Sequence, residues 1–300
     1  MNPNKPQLSI VTPAYNRGEL LGKCYESLCA QTSYDFEWIL VDDGSTDDTQ
    51  TIGEGFSHRA EPFLTVYVRK ENGGKHTALN AAHPYIRGKY VLILDSDDLL
   101  TPDAVETVLQ HWRRYENDAQ ISMMIFLKEN ARFEPLAYVK EENKPVNLLK
   151  CKRICVHSSD CCEVIRTEWF LRFPFPVFPG ERFLAETALW NRVGEKTLCI
   201  YINKPIYVCE YLDGGLSNLG RRMRLRNPLG GKYTSYLRMN RNCRIPERIK
   251  GGILYWIYGY FAGCKTTELL RESHPYRLLT LACLVPGRIL YRLWKKNYNS

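Results

Sequence analysis

Asp95-Ser96-Asp97-Asp98 sets three carboxylates within four residues, directly after the apolar run 91–94. In an open α/β sheet, ligands bind beyond the carboxyl ends of the strands, so this cluster faces the expected crevice. Carboxylates this close repel one another unless a cation sits among them, and an oxygen-rich cluster suits Mg2+ or Mn2+ bridging to a diphosphate. The same four residues also make a solvated loop or a helix-capping run, so the cluster alone does not choose.

Two further clusters lie at comparable places. Asp42-Asp43-Gly44-Ser45-Thr46-Asp47 follows another apolar run, and Asp43 there can accept from a nucleobase N–H or a ribose hydroxyl. Asp-Gly-Ser-Thr is good turn chemistry with or without a ligand. Asn72-Gly73-Gly74-Lys75-His76-Thr77 opens a helical pattern with exposed amides and a cation, a combination that meets phosphate oxygens. It has neither the Walker spacing nor Gly-x-Gly-x-x-Gly, so it supports neither an ATPase nor a dehydrogenase.

The elements that must hold these loops read as an α/β fold with a mostly parallel sheet. Strands are expected at residues 8–12, 36–41, 64–68 and 90–94. Helices are expected at 19–31, from Thr46 or Asp47, over 76–85, and from Pro102 with Thr101 as its N-cap. Strand-like segments follow at 121–127 and 136–139, then a helix over 183–193 and strands at 198–202 and 206–210. A catalytic domain over 1–217 is expected, with a nucleotide-binding half (1–100) and an acceptor half (101–217), followed by a basic helical tail (218–300).

Charge supports that division. Residues 217–300 hold 17 Lys and Arg against 3 Asp and Glu, whereas the rest of the chain holds 24 against 30. A basic tail meets nucleic acid, an anionic membrane or a phosphorylated partner. The 11 cysteines are odd in number and no export segment precedes them, so they read as reduced thiols of a cytoplasmic protein. Cys151, Cys155, Cys161 and Cys162 lack zinc-site spacing and read as small buried apolar residues.

Taken together, Ser9-Ile10-Val11-Thr12-Pro13-Ala14-Tyr15-Asn16-Arg17, the stretch from Ile39 to Thr49, Asn72-Gly73-Gly74-Lys75 with Ala78-Leu79-Asn80, and Leu94-Asp95-Ser96-Asp97-Asp98 resemble family-2 glycosyltransferases of the GT-A fold, in that family's order and spacing. The resemblance covers residues 8–217 and extends to Glu210-Tyr211-Leu212-Asp213-Gly214-Gly215-Leu216-Ser217, which is similar to the close of many bacterial polysaccharide-building members. It implies that Thr12, Pro13 and Tyr15 lie against the nucleotide base, that Asp43 reads the base, and that Lys75 lies near the base or diphosphate. Asp95, Ser96 and Asp97 would then hold ribose, diphosphate and metal, with Asp95 and Asp97 ligating Mn2+ or Mg2+. The family's catalytic base is commonly the Asp of a Glu-Asp pair before Leu-Trp. The matching segment here is Leu184-Ala185-Glu186-Thr187-Ala188-Leu189-Trp190, which puts Glu186 at that position and Ala185 in place of the preceding Glu, with Glu181 as the fallback. The resemblance further implies an inverting, metal-dependent transfer from a nucleotide diphosphate sugar, most simply a UDP-sugar, to a saccharide or lipid-linked acceptor. The alternatives are a sugar-nucleotide-binding protein without transferase activity and a nucleotidyltransferase, although the latter lacks its Gly-rich, Arg-containing loop after the first strand.

Beyond Ser217 the tail stands on its own residues. Its apolar runs, 253–264 and 278–285, fall short of the ~20 residues that span a bilayer. In its last segment Ile289, Leu290, Leu293 and Trp294 share one helical face, with Arg288, Arg292, Lys295 and Lys296 on another. That pattern predicts a helix lying in a membrane interface, peripherally on the inner face of the cell membrane, the alternative being a helical pair packed on the catalytic body with its basic edge solvated. Nucleic acid is disfavoured because the aromatic residues sit in apolar runs instead of alternating with basic ones.

Overall fold

The four apolar runs of the first hundred residues pair side by side in the computed structural model, which describes residues 5–151, 154–155, 160–209 and 216–298. They form β1 (Leu8–Ala14), β2 (Phe36–Asp42), β3 (Leu64–Arg69) and β4 (Tyr90–Ile93), parallel in the order β3-β2-β1-β4. Parallel neighbours need crossovers, and α1 (Gly18–Cys29), α2 (Thr49–Ser57) and α3 (Lys75–Ala81) lie between them. Every residue of β1 and β2 is buried, as expected of strands covered on both faces. Strand order reverses between β1 and β4, and that reversal opens a crevice beyond their carboxyl ends.

The sheet continues in mixed directions. After β5 (Leu99–Leu100) and α4 (Ala104–Arg113) come β6 (Ile121–Asn130), β7 (Ala137–Tyr138), β8 (Pro145–Val146), β9 (Ile154–Cys155), β10 (Cys161–Arg166), α5 (Thr167–Arg172), α6 (Thr187–Gly194) and β11 (Leu198–Cys209). The antiparallel β10 bridges β4 to β6, and β6 pairs parallel with β11, which completes a nine-stranded sheet. The core over it gathers Leu8, Trp38, Leu92, Trp112 and Phe126.

Several element ends differ from expectation, each for a physical reason. The fourth helix starts at Ala104 behind Asp103, not at Pro102 behind Thr101. Gln31 Nε2 donates to the Thr101 carbonyl (2.8 Å) and Thr32 N–H to the Pro102 carbonyl (2.9 Å), so that dipeptide is pinned outside the helix. The second helix begins at Thr49, because Asp47 spends its carboxylate on the amides of Gly18 and Thr49. The third ends at Ala81, ahead of a short 3-10 turn through Pro84, which has no N–H to continue an α-helix. The expected helix over 183–193 begins only at Thr187: the amides of Arg182 and Phe183 donate to Asn227 Oδ1 (2.8 and 3.1 Å) and hold the approach non-helical. The two strands expected at 198–202 and 206–210 are one strand, β11, with a register irregularity between Ile202 and Pro205. Glu210, with Tyr211 to Gly215, lies outside the described residues, as does the side chain of Cys155. Cys161 and Cys162 are buried in β10, whereas Cys151 is half-buried.

The chain divides into two compact units, Met1–Val146 with Cys151–Pro174 and Thr197–Tyr211, and Asn147–Lys150 with Phe175–Lys196 and Leu212–Ser300. The second unit contains α6 and the basic tail, folded as α7 (Leu216–Arg226, kinked at Gly220), α8 (Pro228–Arg238), α9 (Ile245–Phe261), α10 (Thr266–Glu272), α11 (Arg277–Ala282) and α12 (Leu284–Tyr298). Its own core gathers Met239, Tyr255, Trp256, Leu269 and Cys283.

Candidate active site

Four loops of the first unit converge beyond the carboxyl ends of β1, β2, β3 and β4. After β1, Asn16 takes a positive φ of 52°, and its side chain accepts the Thr46 amide (2.8 Å) while its own amide donates to Ser45 Oγ (2.9 Å). After β2, Asp42 Oδ1 accepts the Ser45 amide (2.8 Å), which closes the Asp-Gly-Ser turn. Gly44 is required there, since its φ is +76° and a Cβ would stand 2.7 Å from the Asn72 amide nitrogen.

Asp43 is buried, and its carboxylate organises the Gly-rich loop. It accepts from the amides of Gly73 (3.0 Å) and Gly74 (2.6 Å), from Asn72 Nδ2 (3.2 Å) and from Lys70 Nζ (2.7 Å). Lys70 also donates to Thr77 Oγ1 (2.8 Å). Sequence reasoning passed over Lys70; its one signal was a cation at the end of the third strand.

Asp95 and Asp97 stand at the mouth of the crevice, with side chains 30% and 25% exposed. Lys75 Nζ pairs with Asp95 Oδ1, and Arg17 Nε lies 3.9 Å from Asp97 Oδ2. Burial pushes the Asp95 carboxyl up, but Lys75, Lys128 and Arg17 outweigh it and hold it below its ordinary value. Asp98 is buried deeper. Desolvation, with the charges of Asp95 and Asp97, pushes it up to about 6 in spite of Lys128.

Two residues beneath the loop were also missed from sequence. The Tyr207 hydroxyl accepts the Asp95 amide (2.9 Å) from 112 residues away, and Lys128 Nζ lies 3.9 Å over the Tyr207 ring. Burial works against the Lys128 ammonium, yet the facing Cys209, Asp95 and Asp98 groups raise it above its usual value, so it stays charged.

Of the other expected donor-site residues, Tyr15 is 44% exposed at the end of β1, while Thr12, Pro13 and Ser96 are buried. The Thr12 hydroxyl accepts Trp38 Nε1 (2.9 Å), an interaction that fixes the wall behind the crevice.

The chemistry of the donor set suits a hard divalent cation. Asp95 and Asp97 offer oxygen ligands, and among the described residues no three ligating side chains converge. Asp95 and Asp97 would hold such a cation, which would supply positive charge beside a diphosphate.

Glu186 belongs to the second unit. It occupies the N-cap position of α6, where its carbonyl accepts the amides of Leu189 and Trp190 (2.9 and 3.2 Å). Glu181, the fallback, is committed elsewhere: its two oxygens accept the amides of Leu229 (2.6 Å) and Gly230 (2.8 Å) at the start of α8.

His76, packed beside the Asp43–Lys70 pair, makes stability depend on pH. Burial, aided by Lys70 and opposed by Asp43, lowers its pKa below 6.5. A depressed imidazole contributes stability that is present above the unfolded pKa of about 6.5 and lost as pH falls through the folded one. Urea unfolding at stepped pH is expected to show this decline, and His76→Leu to make it shallower. Identical slopes in the two proteins would contradict the assignment.

The family described as Glycosyl transferase family 2 matches residues 9–172. Glycosyltransferase GlyA of Streptococcus pneumoniae is 34% identical over 224 residues, which is 71% of this chain and 32% of that protein. Matches to the first curated relatives span between 11% and 43% of those proteins' lengths. Among solved structures, S. aureus TarS in complex with UDP-GlcNAc superposes with a TM-score of 0.62 at 15% identity, covering 94% of this chain and 80% of that one. The mannosyltransferase PcManGT from Pyrobaculum calidifontis, in complex with GDP-Man and Mn2+, gives 0.56 at 17% identity over 98% and 89%. These likenesses identify the fold as GT-A.

Proposed function

Because the chain belongs to glycosyl transferase family 2, we propose that it moves a sugar from a nucleotide diphosphate donor, a UDP-sugar, to a saccharide or lipid-linked acceptor during cell-surface polysaccharide synthesis, with inversion at the anomeric carbon. The observation that carries this reading is the convergence of Asp95, Asp97, Lys75 and Arg17 at the β1–β4 crevice, where a diphosphate meets both cations and carboxylates. The UDP-GlcNAc in the TarS complex supports the choice of donor. The Mn2+ and GDP-Man in the PcManGT complex support a metal with a nucleotide sugar.

In this reading the exposed Tyr15 ring stacks on the base, and Asp43 holds the Gly-rich loop that borders it. Thr12 and Pro13 form the wall behind the base, and Ser96, between Asp95 and Asp97, belongs with them to the donor-binding set. Lys75 and Arg17 orient the diphosphate oxygens. Asp95 and Asp97 hold Mn2+ or Mg2+, which supplies positive charge to offset that of the departing diphosphate. Glu186 takes the acceptor hydroxyl's proton as its oxygen bonds to the anomeric carbon and the bond from that carbon to the diphosphate oxygen breaks, all in one displacement. The acceptor is met at the inner face of the cell membrane, where the basic tail attaches.

The test is turnover of UDP-sugars with short saccharide acceptors, read as UDP release and, by NMR, as anomeric configuration. Matched UDP and an inverted glycoside are expected. Nucleotide binding without release, whatever the acceptor, would leave a sugar-nucleotide-binding protein.

A further inference from the structure

The tail's aromatic run is not what it presents to its surroundings. Tyr255, Trp256 and Tyr258 are buried in the core of the second unit, where Trp256 Nε1 donates to the Thr280 carbonyl (2.7 Å). Gly287 of α12 packs so close to α9 that an added Cβ would stand 2.6 Å from Trp256 Cβ. Arg288, on the basic face of the last helix, is exposed and donates from Nε to the Tyr260 hydroxyl (2.9 Å).

A different apolar set is left exposed. On α9 it comprises Ile245 (68% exposed) and Ile249 (45%), and on α12 Val285 (65%), Ile289 (54%) and Leu293 (52%). Steps of four residues align each row along its own helix. Leu290 and Trp294 line a groove of about 500 Å3 together with Ile245, Ile249 and Ile253. Lys250 lines the groove and Arg221 stacks on the Trp294 ring at 4.4 Å, while Arg244, Arg292 and Lys295 are exposed on or beside the same two helices.

The three carboxylates of residues 217–300 are engaged away from the groove lining. Glu247 pairs with Arg238 (3.7 Å) and Glu272 with Lys232 (2.9 Å), while Glu268 accepts the Lys265 amide (2.8 Å).

We propose that this face of α9 and α12 docks on an anionic lipid bilayer, with the aliphatic rows and the groove at the acyl boundary and these basic side chains among the headgroups. The proposal deepens the membrane part of the reading above and uses no step of sugar transfer. Aliphatic side chains with Lys250 and Arg221 beside the groove, and Trp294 within it, match the two layers of such a surface. No helix among the described residues is long and apolar enough to cross a membrane, which agrees with a face that lies on one. A second copy of the chain is disfavoured, since self-pairing sets like charges against one another. Nucleic acid fits less well, because the exposed side chains are aliphatic and offer no stacking platform.

The test is cosedimentation of the full chain with vesicles of phosphatidylcholine alone or mixed with phosphatidylglycerol. Binding is expected to be about tenfold or more tighter to the mixed vesicles and to weaken as salt rises. Ile249→Glu with Leu293→Glu, both at exposed positions, is expected to lower partitioning about tenfold with the thermal melt and nucleotide affinity unchanged. Arg292→Glu with Lys295→Glu leaves the aliphatic rows intact and is expected to remove the preference for phosphatidylglycerol. Absence of wild-type binding to either vesicle at low salt would overturn the proposal. So would a dimer in sedimentation velocity that the Ile249→Glu, Leu293→Glu protein loses without any vesicle binding. Failure of the transferase reading shows separately, as no turnover of a soluble acceptor with vesicle binding intact.

Discussion

Glu186→Gln is expected to lower kcat by about 10²–10⁴ while nucleotide affinity and the thermal melt stay as in the wild type. Glutamine keeps the volume and the N-cap position, and the backbone carbonyl that accepts the amides of Leu189 and Trp190 is untouched. The substitution removes a group able to take a proton. Glu181 is engaged elsewhere, since its two oxygens accept the first amides of α8. Steady-state kinetics with separate nucleotide titrations check this split. A loss below about tenfold, or one matched by weaker binding, would place the base elsewhere.

Asp97→Ala is expected to lower kcat/KM by about 10²–10³ and to remove the metal-dependent share of donor binding. The Asp97 side chain is a quarter exposed and its neighbouring cation, Arg17, stands at 3.9 Å, a long and partly solvated pair. Such a pair contributes about 0–1 kcal/mol to folding, so the variant is expected to melt within a few degrees of the wild type. A large loss of stability with donor binding unchanged would make Asp97 a structural residue. Asp95 is less informative for this purpose: its amide and carboxylate are tied to Tyr207 and Lys75, so its replacement disturbs the loop as well as the ligand set.

The parallel half of the sheet was readable because its signals are local. Residues 8–12 and 36–41 are apolar runs bounded by turn residues, and the Asp42-Gly44-Ser45 turn closes through its own side chain as Asp-Gly-Ser chemistry requires. Helix starts were misplaced where a distant partner decides them. Thr101 and Pro102 are held by Gln31 and Thr32, and the approach to α6 is held by Asn227, some 45 residues on. Sequence offered nothing to announce either contact.

The same distinction runs through the site. Asp43, Lys75, Asp95 and Asp97 sit in short motifs at strand ends, and the fold brings their loops to one crevice. Lys70, Lys128 and Tyr207 carry no motif. Each matters through a partner supplied by the sheet, as when Tyr207 on β11 reaches the Asp95 amide. Of the apolar face read in the last segment, Ile289 and Leu293 are exposed, whereas Leu290 and Trp294 line a groove with α9, and packing of α8 and α12 on α9 buries the Tyr and Trp of the run before it.

Calorimetric titration of uridine, guanosine and thymidine diphosphates, with and without Mn2+, on the wild type and on Asp97→Ala addresses the donor site directly. The expected result is binding of the uridine nucleotide that strengthens with Mn2+ in the wild type and loses that dependence in Asp97→Ala. Absence of binding by any of the three nucleotides, with or without the metal, would contradict the assignment of the β1–β4 crevice as a nucleotide-sugar site.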